Sequence, residues 1–272
     1  MNKRKMIAID IDGTLTPKFS YTIPKSTINI IKEAKKYAYI TIVTGRMYSS
    51  SILFALILDI DIPIITYQGA YIVNPKTGEF LSKSLLDTQI AEKVIKFVID
   101  RGFDINIFSE NTVYSVKDNK RVRDYSSNFK VSFYIRNDII EILKRDSIKP
   151  VKLQIIDTDE RIANLEKEVR EVFPEVGILK SFSNFLEIVD KSVSKSNALA
   201  FLLNKYKIKR ENLIAIGDSY NDVDMLDFAG FGIAMEEAPQ ELKDVASYIA
   251  PSVYKKGIEY VIEKFVLNKE NI

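Results

Sequence analysis

The sequence of 272 residues contains no cysteine and no histidine. The absence of cysteine excludes disulfides, thiolate nucleophiles and zinc sites built on Cys ligands. The absence of histidine excludes a Ser-His catalytic triad, His-ligated zinc or iron, and a histidine phospho-carrier. Acid/base and metal chemistry therefore falls to carboxylates and lysine, and carboxylate oxygens favour hard cations such as Mg²⁺.

The chain also lacks a strong net charge and a long hydrophobic run. Its 39 Lys and Arg and 37 Asp and Glu leave a formal net charge of +2, so no overall field favours nucleic acid or an anionic membrane. The apolar residues 6–9 after the basic start end at Asp10, too early for a signal peptide. The apolar run 52–58 ends before Asp59, well short of the ~20 residues of a membrane span. We expect a cytoplasmic protein.

Short apolar runs alternate with segments of helical period at both ends of the chain. The first part predicts strands at 6–10, 39–43 and 62–67 and helices at 24–37 and 48–58. The last part predicts strands at 213–216, 231–234 and 248–250 and helices at 219–228, 238–246 and 256–266. This βαβ alternation predicts one α/β fold with a parallel sheet and helices on both faces.

The middle of the chain has a different pattern. It predicts helices at 87–101, 138–145 and 159–173 and strands at 103–108, 113–116, 151–156, 177–182 and 185–189. These elements predict an α+β domain inserted into the α/β core. We place the core in residues 1–82 and 187–272 and the inserted domain in 83–186.

In an open parallel sheet, ligands bind beyond the carboxyl ends of the strands. The predicted strand ends carry Asp10 and Asp12, then Thr44-Gly45-Arg46, then Gln68-Gly69, and then Gly217-Asp218 with Asn221 and Asp222. These ends are polar, and they are acidic where a metal ion would bind.

Asp10 and Asp12 are two carboxylates separated by one residue. Alternation in an extended chain points both to the same side, and Gly13 permits a tight turn after them. Carboxylates so close repel each other unless a cation or a shared proton stabilises them. A turn in which both side chains bind local backbone is an alternative. A calcium loop is disfavoured, because Thr occupies positions 14 and 16 and no Glu stands at 21.

Thr44 and Lys195 each have a structural and a functional interpretation. Thr44 precedes a predicted helix, so it is either the N-cap of that helix or part of a phosphate site at a helix start. Lys195 stands at the start of a predicted helix and is either a surface lysine or the partner of an anion, because a cation there opposes the helix dipole.

The segment after Gly217 is rich in acidic residues. Ser219 and Asp222 have the spacing of a capping box, which explains those two residues. It does not explain Asp218 or Asn221. The three acids at 218, 222 and 224 suggest a site for a hard cation.

In order along the chain, four segments resemble the four motifs of the haloacid dehalogenase (HAD) superfamily of phosphotransferases. They are Asp10-Ile11-Asp12-Gly13-Thr14-Leu15, Thr44-Gly45-Arg46, Lys195 and Gly217-Asp218-Ser219-Tyr220-Asn221-Asp222. The chain resembles the Cof-like sugar-phosphate-phosphatase branch, which implies a Rossmann-like parallel-sheet core with an inserted α+β cap of type IIB.

The resemblance implies roles for these residues. Asp10 would be the nucleophile that forms an aspartyl-phosphate, and Asp12 the general acid/base. The phosphate-binding residues would be Thr44, Gly45, Lys195 and Asn221. The metal would be Mg²⁺, held by Asp10, the backbone carbonyl of Asp12 and Asp218, with Asp222 either bound through water or supporting the ligands from outside.

The resemblance implies an Mg²⁺-dependent phosphatase that hydrolyses a small phosphorylated metabolite, such as a sugar phosphate, phosphoglycolate or a phosphorylated vitamin. A phosphomutase with the same aspartyl-phosphate, a phosphorylation-controlled switch and a non-catalytic phosphometabolite-binding protein are the alternatives. Many relatives have Asn-Gly-Ala where this chain has Gln68-Gly69-Ala70, and Gly-Asn where it has Glu236-Glu237. These departures weaken inferences about the substrate from close relatives.

Overall fold

The computed structural model describes residues 5–145 and 148–267. The ends of the predicted core segments, 1–4 and 268–272, lie outside the described residues. Within the described ranges, no helix is long and apolar enough to span a bilayer.

The strands are β1 (Lys5–Ile9), β2 (Ala38–Ile42), β3 (Ile64–Thr66), β4 (Tyr71–Val73), β5 (Phe80–Lys83), β6 (Asn106–Ser109), β7 (Thr112–Ser115), β8 (Ser132–Ile135), β9 (Lys152–Ile156), β10 (Val176–Leu179), β11 (Phe185–Asp190), β12 (Leu213–Gly217), β13 (Phe231–Met235) and β14 (Tyr248–Ala250). The α-helices are α1 (Lys25–Ala34), α2 (Tyr48–Ile57), α3 (Thr88–Asp100), α4 (Lys120–Phe129), α5 (Ile139–Lys144), α6 (Asp159–Val172), α7 (Lys195–Tyr206), α8 (Val223–Phe228), α9 (Gln240–Val245) and α10 (Gly257–Ile262). A π-helical turn at Glu263–Leu267 continues α10.

The first of two compact units comprises the chain up to Gly45, Ser51–Ser82, and the chain from Ser194 onward. Its main sheet has the order β14-β13-β12-β1-β2, and every neighbouring pair is parallel. The predicted parallel α/β core is confirmed. Ile9 of β1 pairs with Ile216 of β12 and with Ile42 of β2, so these three strands end at the same edge of the sheet.

The sequence explains why these elements form. Four of the five residues of β1 are buried, as expected for a strand covered on both faces. In α1 the buried residues Thr27, Ile31 and Ala34 recur at helical spacing and turn one face toward the core.

The strand predicted at 62–67 has a different place from the other core strands. It forms β3, which meets the end of β2 through a parallel bridge between Val43 and Ile65. It also belongs to a separate three-stranded sheet of order β3-β4-β5, in which β3 and β4 are antiparallel. The sequence analysis did not predict β4 and β5, which have three and four residues.

The second unit comprises Arg46–Ser50 and Lys83–Val193. Its six-stranded sheet has the order β10-β11-β9-β6-β7-β8, and only the β7-β8 pair is parallel. Apolar residues of β6, β9 and β11 join those of α3, α5 and α6 in one hydrophobic core. The predicted α+β insertion therefore has its own core. The sequence did not predict α4, which buries only Val122, Tyr125 and Phe129 among polar residues.

The predicted end of the inserted domain at residue 186 is wrong. That boundary would cut β11 in two, although β11 pairs with β9 from Phe185 to Ile188 and with β10 from Glu187 to Asp190. Residues 187–193 consequently belong to the second unit, which ends at Val193. At the other end, the chain passes into the second unit between Ser82 and Lys83.

Candidate active site

Three buried carboxylates meet at the carboxyl edge of the parallel sheet. Asp10 directly follows β1, Asp218 directly follows β12, and Asp222 closes the turn Tyr220–Asp222. One carboxylate oxygen of each lies within 4.8 Å of the others. The parallel register of β1 and β12 brings together residues that are more than 200 positions apart in the sequence.

A single buried lysine bridges two of these carboxylates. Lys195 Nζ lies 2.7 Å from Asp10 Oδ1 and 2.5 Å from Asp222 Oδ1, and the side chain is 1% exposed. Lys195 is the first residue of α7, where the N-cap Ser194 accepts a hydrogen bond from the Asn197 N–H. The anions expected beyond this helix start are Asp10 and Asp222, and the surface-lysine interpretation is wrong.

Asp222 has partners on both carboxylate oxygens. Oδ1 accepts from Lys195, and Oδ2 accepts from the N–H groups of Asp218 and Ser219 at 3.0 Å each. The predicted capping box between Ser219 and Asp222 is confirmed. Gly217 is required at the strand end, because a Cβ there would lie 2.5 Å from the Asp222 carboxyl carbon.

Asp218 is oriented by two residues that the sequence analysis did not single out. Thr14 Oγ1 donates to Asp218 Oδ1 at 3.1 Å, and Lys18 Nζ lies 3.3 Å from Oδ2. Thr14 lies inside the Asp10 motif, so its proximity could have been inferred. Lys18 carries no distinguishing signal in a chain this rich in lysine.

The electrostatics of the cluster are dominated by burial. Burial raises the pKa of Asp10 well above its ordinary value; Lys195 lowers this pKa, and Asp222 and Asp218 raise it. Burial, followed by the negative charge of Asp222, raises the pKa of Asp218 to about 7. Burial alone would lower the pKa of Lys195, but Asp10 and Asp222 outweigh it and raise this pKa above the usual lysine range.

These residues fit a divalent cation. Three buried carboxylates face one buried ammonium and one half-exposed ammonium, that of Lys18, so the deprotonated cluster carries more negative charge than its buried cation balances. Among the described residues, no donor reaches Asp10 Oδ2. Oxygen ligands with excess negative charge are what Mg²⁺ prefers.

Asp12 stands outside this group of three carboxylates. Its Oδ1 accepts a hydrogen bond from the Phe19 N–H at 3.0 Å, and Gly13 adopts a φ of 88°. Asp12 thus has a nearby backbone donor, whereas Asp10 belongs to the cluster.

Thr44 is not the N-cap of a helix, because α2 begins only at Tyr48. The Thr44 N–H donates to the Ile65 carbonyl at 2.9 Å, and its carbonyl accepts from the Gln68 N–H at 3.0 Å. These bonds hold the buried Thr44 in the loop after β2, at the carboxyl edge of the sheet. Gly45 permits a close approach there, because a Cβ would lie 2.4 Å from Gln68 Nε2.

Gln68 connects two of the predicted phosphate-binding residues. It is 1% exposed, lies against Gly45, and accepts a hydrogen bond from Asn221 Nδ2 at 2.9 Å. Tyr67 and Gln68 both have positive φ angles, 53° and 61°, which are unfavourable for residues other than glycine. The departure from Asn to Gln at position 68 thus lies next to the site itself.

The remaining acidic residues singled out from the sequence have other partners. Asp224 is not in the carboxylate cluster, and its Oδ2 accepts from the Ser196 N–H at 2.9 Å in the first turn of α7. Glu236 pairs with Lys255 at 2.9 Å, and Glu237 binds the Ser252 hydroxyl. Of the acidic residues 218, 222 and 224, Asp218 and Asp222 join Asp10 in the carboxylate cluster, and Asp224 does not.

Gly69→Ala is expected to damage the site through Lys195. Gly69 has a φ of 107°, and a Cβ there would lie 2.2 Å from the Ser194 carbonyl oxygen. We expect a loss of at least about 2 kcal/mol of unfolding free energy and a lower kcat. Gly78→Ala is the matched control, since Gly78 has a φ of 73° and nothing within 4 Å of the new Cβ. Equal losses in the two variants, measured by urea unfolding, would contradict the packing argument.

A sequence model of haloacid dehalogenase-like hydrolases matches residues 7–262. The chain belongs to this family. It is 27% identical over 285 residues to the Bacillus subtilis 5-amino-6-(5-phospho-D-ribitylamino)uracil phosphatase YwtE, covering 96% of this chain and 98% of YwtE.

Solved structures have the same fold. The HAD subclass IIB sugar phosphatase BT4131 matches with a TM-score of 0.81 and 26% identity, covering 96% of this chain and 98% of that chain. TM0651 from Thermotoga maritima matches with a TM-score of 0.80 and 27% identity, covering 97% of this chain and 99% of TM0651. The protein is a HAD phosphatase, its first unit is the HAD core, and its second unit corresponds to a type IIB cap.

Proposed function

We propose that this HAD phosphatase requires Mg²⁺ and hydrolyses a small phosphorylated metabolite through an aspartyl-phosphate on Asp10. The observation that carries the proposal is the position of Lys195, whose ammonium holds one oxygen of Asp10 at 2.7 Å. The other oxygen, Oδ2, is left without a donor among the described residues. A carboxylate fixed in this way can attack phosphorus in line.

Lys195 supplies the second requirement of phosphoryl transfer. Negative charge is spread over the equatorial phosphoryl oxygens in the transition state, and a fixed cation stabilises it. Lys195 is buried and held by Asp10 and Asp222, so it needs no reorganisation before the reaction. Thr44, Gly45 and Asn221 are proposed to bind the phosphoryl oxygens with it.

The metal would be held by the carboxylates of Asp10 and Asp218 and the backbone carbonyl of Asp12. Asp222 would support the metal without binding it directly, because both of its oxygens already accept hydrogen bonds. When bound, Mg²⁺ offsets the negative charge that the carboxylates and a phosphate group bring together.

Asp12 is proposed to act as the general acid/base. Its side chain is half-buried and lies outside the group of three buried carboxylates. It would protonate the leaving oxygen in the first step and accept a proton from water in the second. An acid/base group next to the phosphorylated residue favours hydrolysis over a long-lived switch.

We propose a small phosphomonoester as substrate, with neither nucleic acid nor a membrane as partner. Two relatives support this class, because YwtE is named for a phosphorylated ribitylamino-uracil and BT4131 for sugar phosphates. The near-balance of 39 basic and 37 acidic residues is consistent with a small ligand. The cytoplasmic location stays a prediction.

The proposal is tested by assaying phosphate release from p-nitrophenyl phosphate and from a panel of phosphorylated metabolites. Full activity is expected with Mg²⁺, and loss is expected with a chelator, followed by recovery when Mg²⁺ is restored. Activity that is indifferent to the chelator would overturn the metal requirement. Isomer formation faster than phosphate release would favour a mutase.

Asp218→Asn is expected to weaken Mg²⁺ binding while the protein stays folded. The variant keeps an oxygen for Thr14 but removes a buried charge, so the chelated variant should be more stable than the chelated wild type. Mg²⁺ should stabilise the wild type by about 3 kcal/mol at 100 times its Kd and the variant much less. Thermal unfolding with and without Mg²⁺ measures both effects. An unchanged Mg²⁺ shift in the variant would contradict the ligand assignment.

The same variant tests the pKa of Asp218. Folding raises this pKa from 3.8 to about 7, so the folded chain binds the proton more tightly than the unfolded chain. The chelated wild type should therefore gain stability as the pH falls through about 7. Asp218→Asn should reduce this dependence of stability on pH. An unaltered pH profile in the variant would contradict the raised pKa of Asp218.

A further inference from the structure

A cavity of about 300 Å³ lies in the first unit, between the start of α1, the loop after Asp12 and the chain around α10. Its walls include the apolar side chains of Leu15, Pro17, Pro24 and Ile258. One acidic side chain, Glu259, also lines it. None of these residues has a part in the proposed phosphatase reaction.

Glu259 is a buried residue whose two carboxylate oxygens differ in their hydrogen bonds. Glu259 is 9% exposed, and its Oε1 accepts hydrogen bonds from Ser26 Oγ and Thr27 Oγ1 at 2.8 Å each. Among the described residues, no donor reaches Oε2 and no Lys or Arg forms an ion pair with Glu259. Lys256 lines the same cavity, but it is exposed and unpaired with Glu259.

Contacts within the protein account for Glu259 Oε1 but not for Oε2. The start of α1 favours a nearby negative charge, and the two hydroxyls satisfy Oε1. Oε2 has no donor within the described part of the chain, and it is not among the fully buried unpartnered atoms, so it is open to the cavity that Glu259 lines. A cationic N–H donor in the cavity would form a charge-assisted hydrogen bond with this oxygen.

We propose that this cavity binds a small organic ammonium compound, with its ammonium group on Glu259 Oε2 and its apolar body against the surrounding walls. The ammonium group supplies both the donor and the positive charge that Glu259 lacks. The apolar walls favour a hydrocarbon body over a hydrated metal ion.

The site is connected to the carboxylate cluster through Thr14. Thr14 lines the cavity, and its hydroxyl donates to Asp218 at 3.1 Å. A ligand in the cavity therefore contacts the residue that orients a proposed Mg²⁺ ligand. If the two sites are coupled, each ligand must change the affinity of the other by the same factor.

The test is calorimetric titration of the full chain with benzylamine, and with benzyl alcohol as the uncharged compound of the same shape. Benzylamine is expected to bind at least about tenfold more tightly than the alcohol. Glu259→Gln should weaken benzylamine binding by at least about tenfold. Glu263→Gln is the matched control, because Glu263 is exposed one turn further along the chain, and it should leave binding unchanged.

A second variant keeps the test decisive if Glu259→Gln fails to fold. Tyr254 lines the cavity and is 75% exposed, so Tyr254→Ala removes part of the wall without opening the core. It should weaken benzylamine binding severalfold. No binding of benzylamine to the wild type, equal affinity for the alcohol, or wild-type affinity in both variants would each overturn the proposal. Phosphatase activity is read separately, so failure here leaves the proposed function untouched.

Discussion

Asp10→Asn is expected to lower kcat for phosphate release by about 10⁴-fold or more, the range seen when a nucleophile is removed. The amide has nearly the same shape as the carboxylate but cannot attack phosphorus. The variant should remain folded, because it removes one of three mutually repelling buried carboxylates. Steady-state kinetics with p-nitrophenyl phosphate, with thermal unfolding alongside, measures both expectations.

Asp224→Asn is the matched control for this variant. Asp224 lies near the site but accepts a hydrogen bond from the Ser196 N–H, and an amide oxygen can replace that acceptor. Its kcat should stay within a few fold of the wild type. A tenth or more of wild-type activity in Asp10→Asn, repeated in Asp10→Ala to exclude deamidation, would remove Asp10 as the nucleophile.

Lys195→Met is expected to damage both catalysis and stability. The variant keeps the length of the side chain but leaves Asp10 and Asp222 without their shared cation. Removing one partner of a buried ion pair costs about 3–5 kcal/mol, and losing a fixed cation at the phosphoryl group should cost about 10²–10³-fold in kcat. Urea unfolding and steady-state kinetics measure the two losses.

The matched control is Lys205→Met in the last turn of the same helix, where the side chain is exposed. It should change stability by less than about 0.5 kcal/mol. Adding Asp222→Asn to Lys195→Met should recover part of the lost stability, because it removes one of the unpaired charges. Additive losses in this double variant would contradict the proposed coupling.

The parallel core and its acidic edge could be predicted because they follow from local patterns. Each core strand is a short apolar run, and parallel strands place their carboxyl ends at one edge. Asp10 and Asp218 were therefore expected to meet although the sequence alone gives no distance between them. Lys195 became meaningful only with the resemblance to the HAD motifs, since its local context favours a surface residue.

The remaining features depend on contacts that no local pattern encodes. Lys18 and Thr14 reach Asp218 across some 200 residues of sequence, and the contact of Gln68 with Asn221 spans 153 positions. The interpretation of Thr44 as an N-cap was wrong because the chain continues for three residues before α2 begins at Tyr48. The end of the inserted domain was misplaced because pairing of β11 with its neighbours, and not the composition of the chain, decides which unit it joins.

The central claim is that Asp10 carries the phosphoryl group, and trapping that group tests it most directly. Asp12→Asn should slow hydrolysis of the intermediate but still allow its formation from p-nitrophenyl phosphate, whose leaving group needs little protonation. Rapid quenching with radiolabelled phosphoryl substrate, followed by tryptic mapping, should place the label on the peptide of residues 6–18, which includes Asp10. The label should disappear in Asp10→Asn. Label on another peptide, or full turnover with none trapped, would contradict the account.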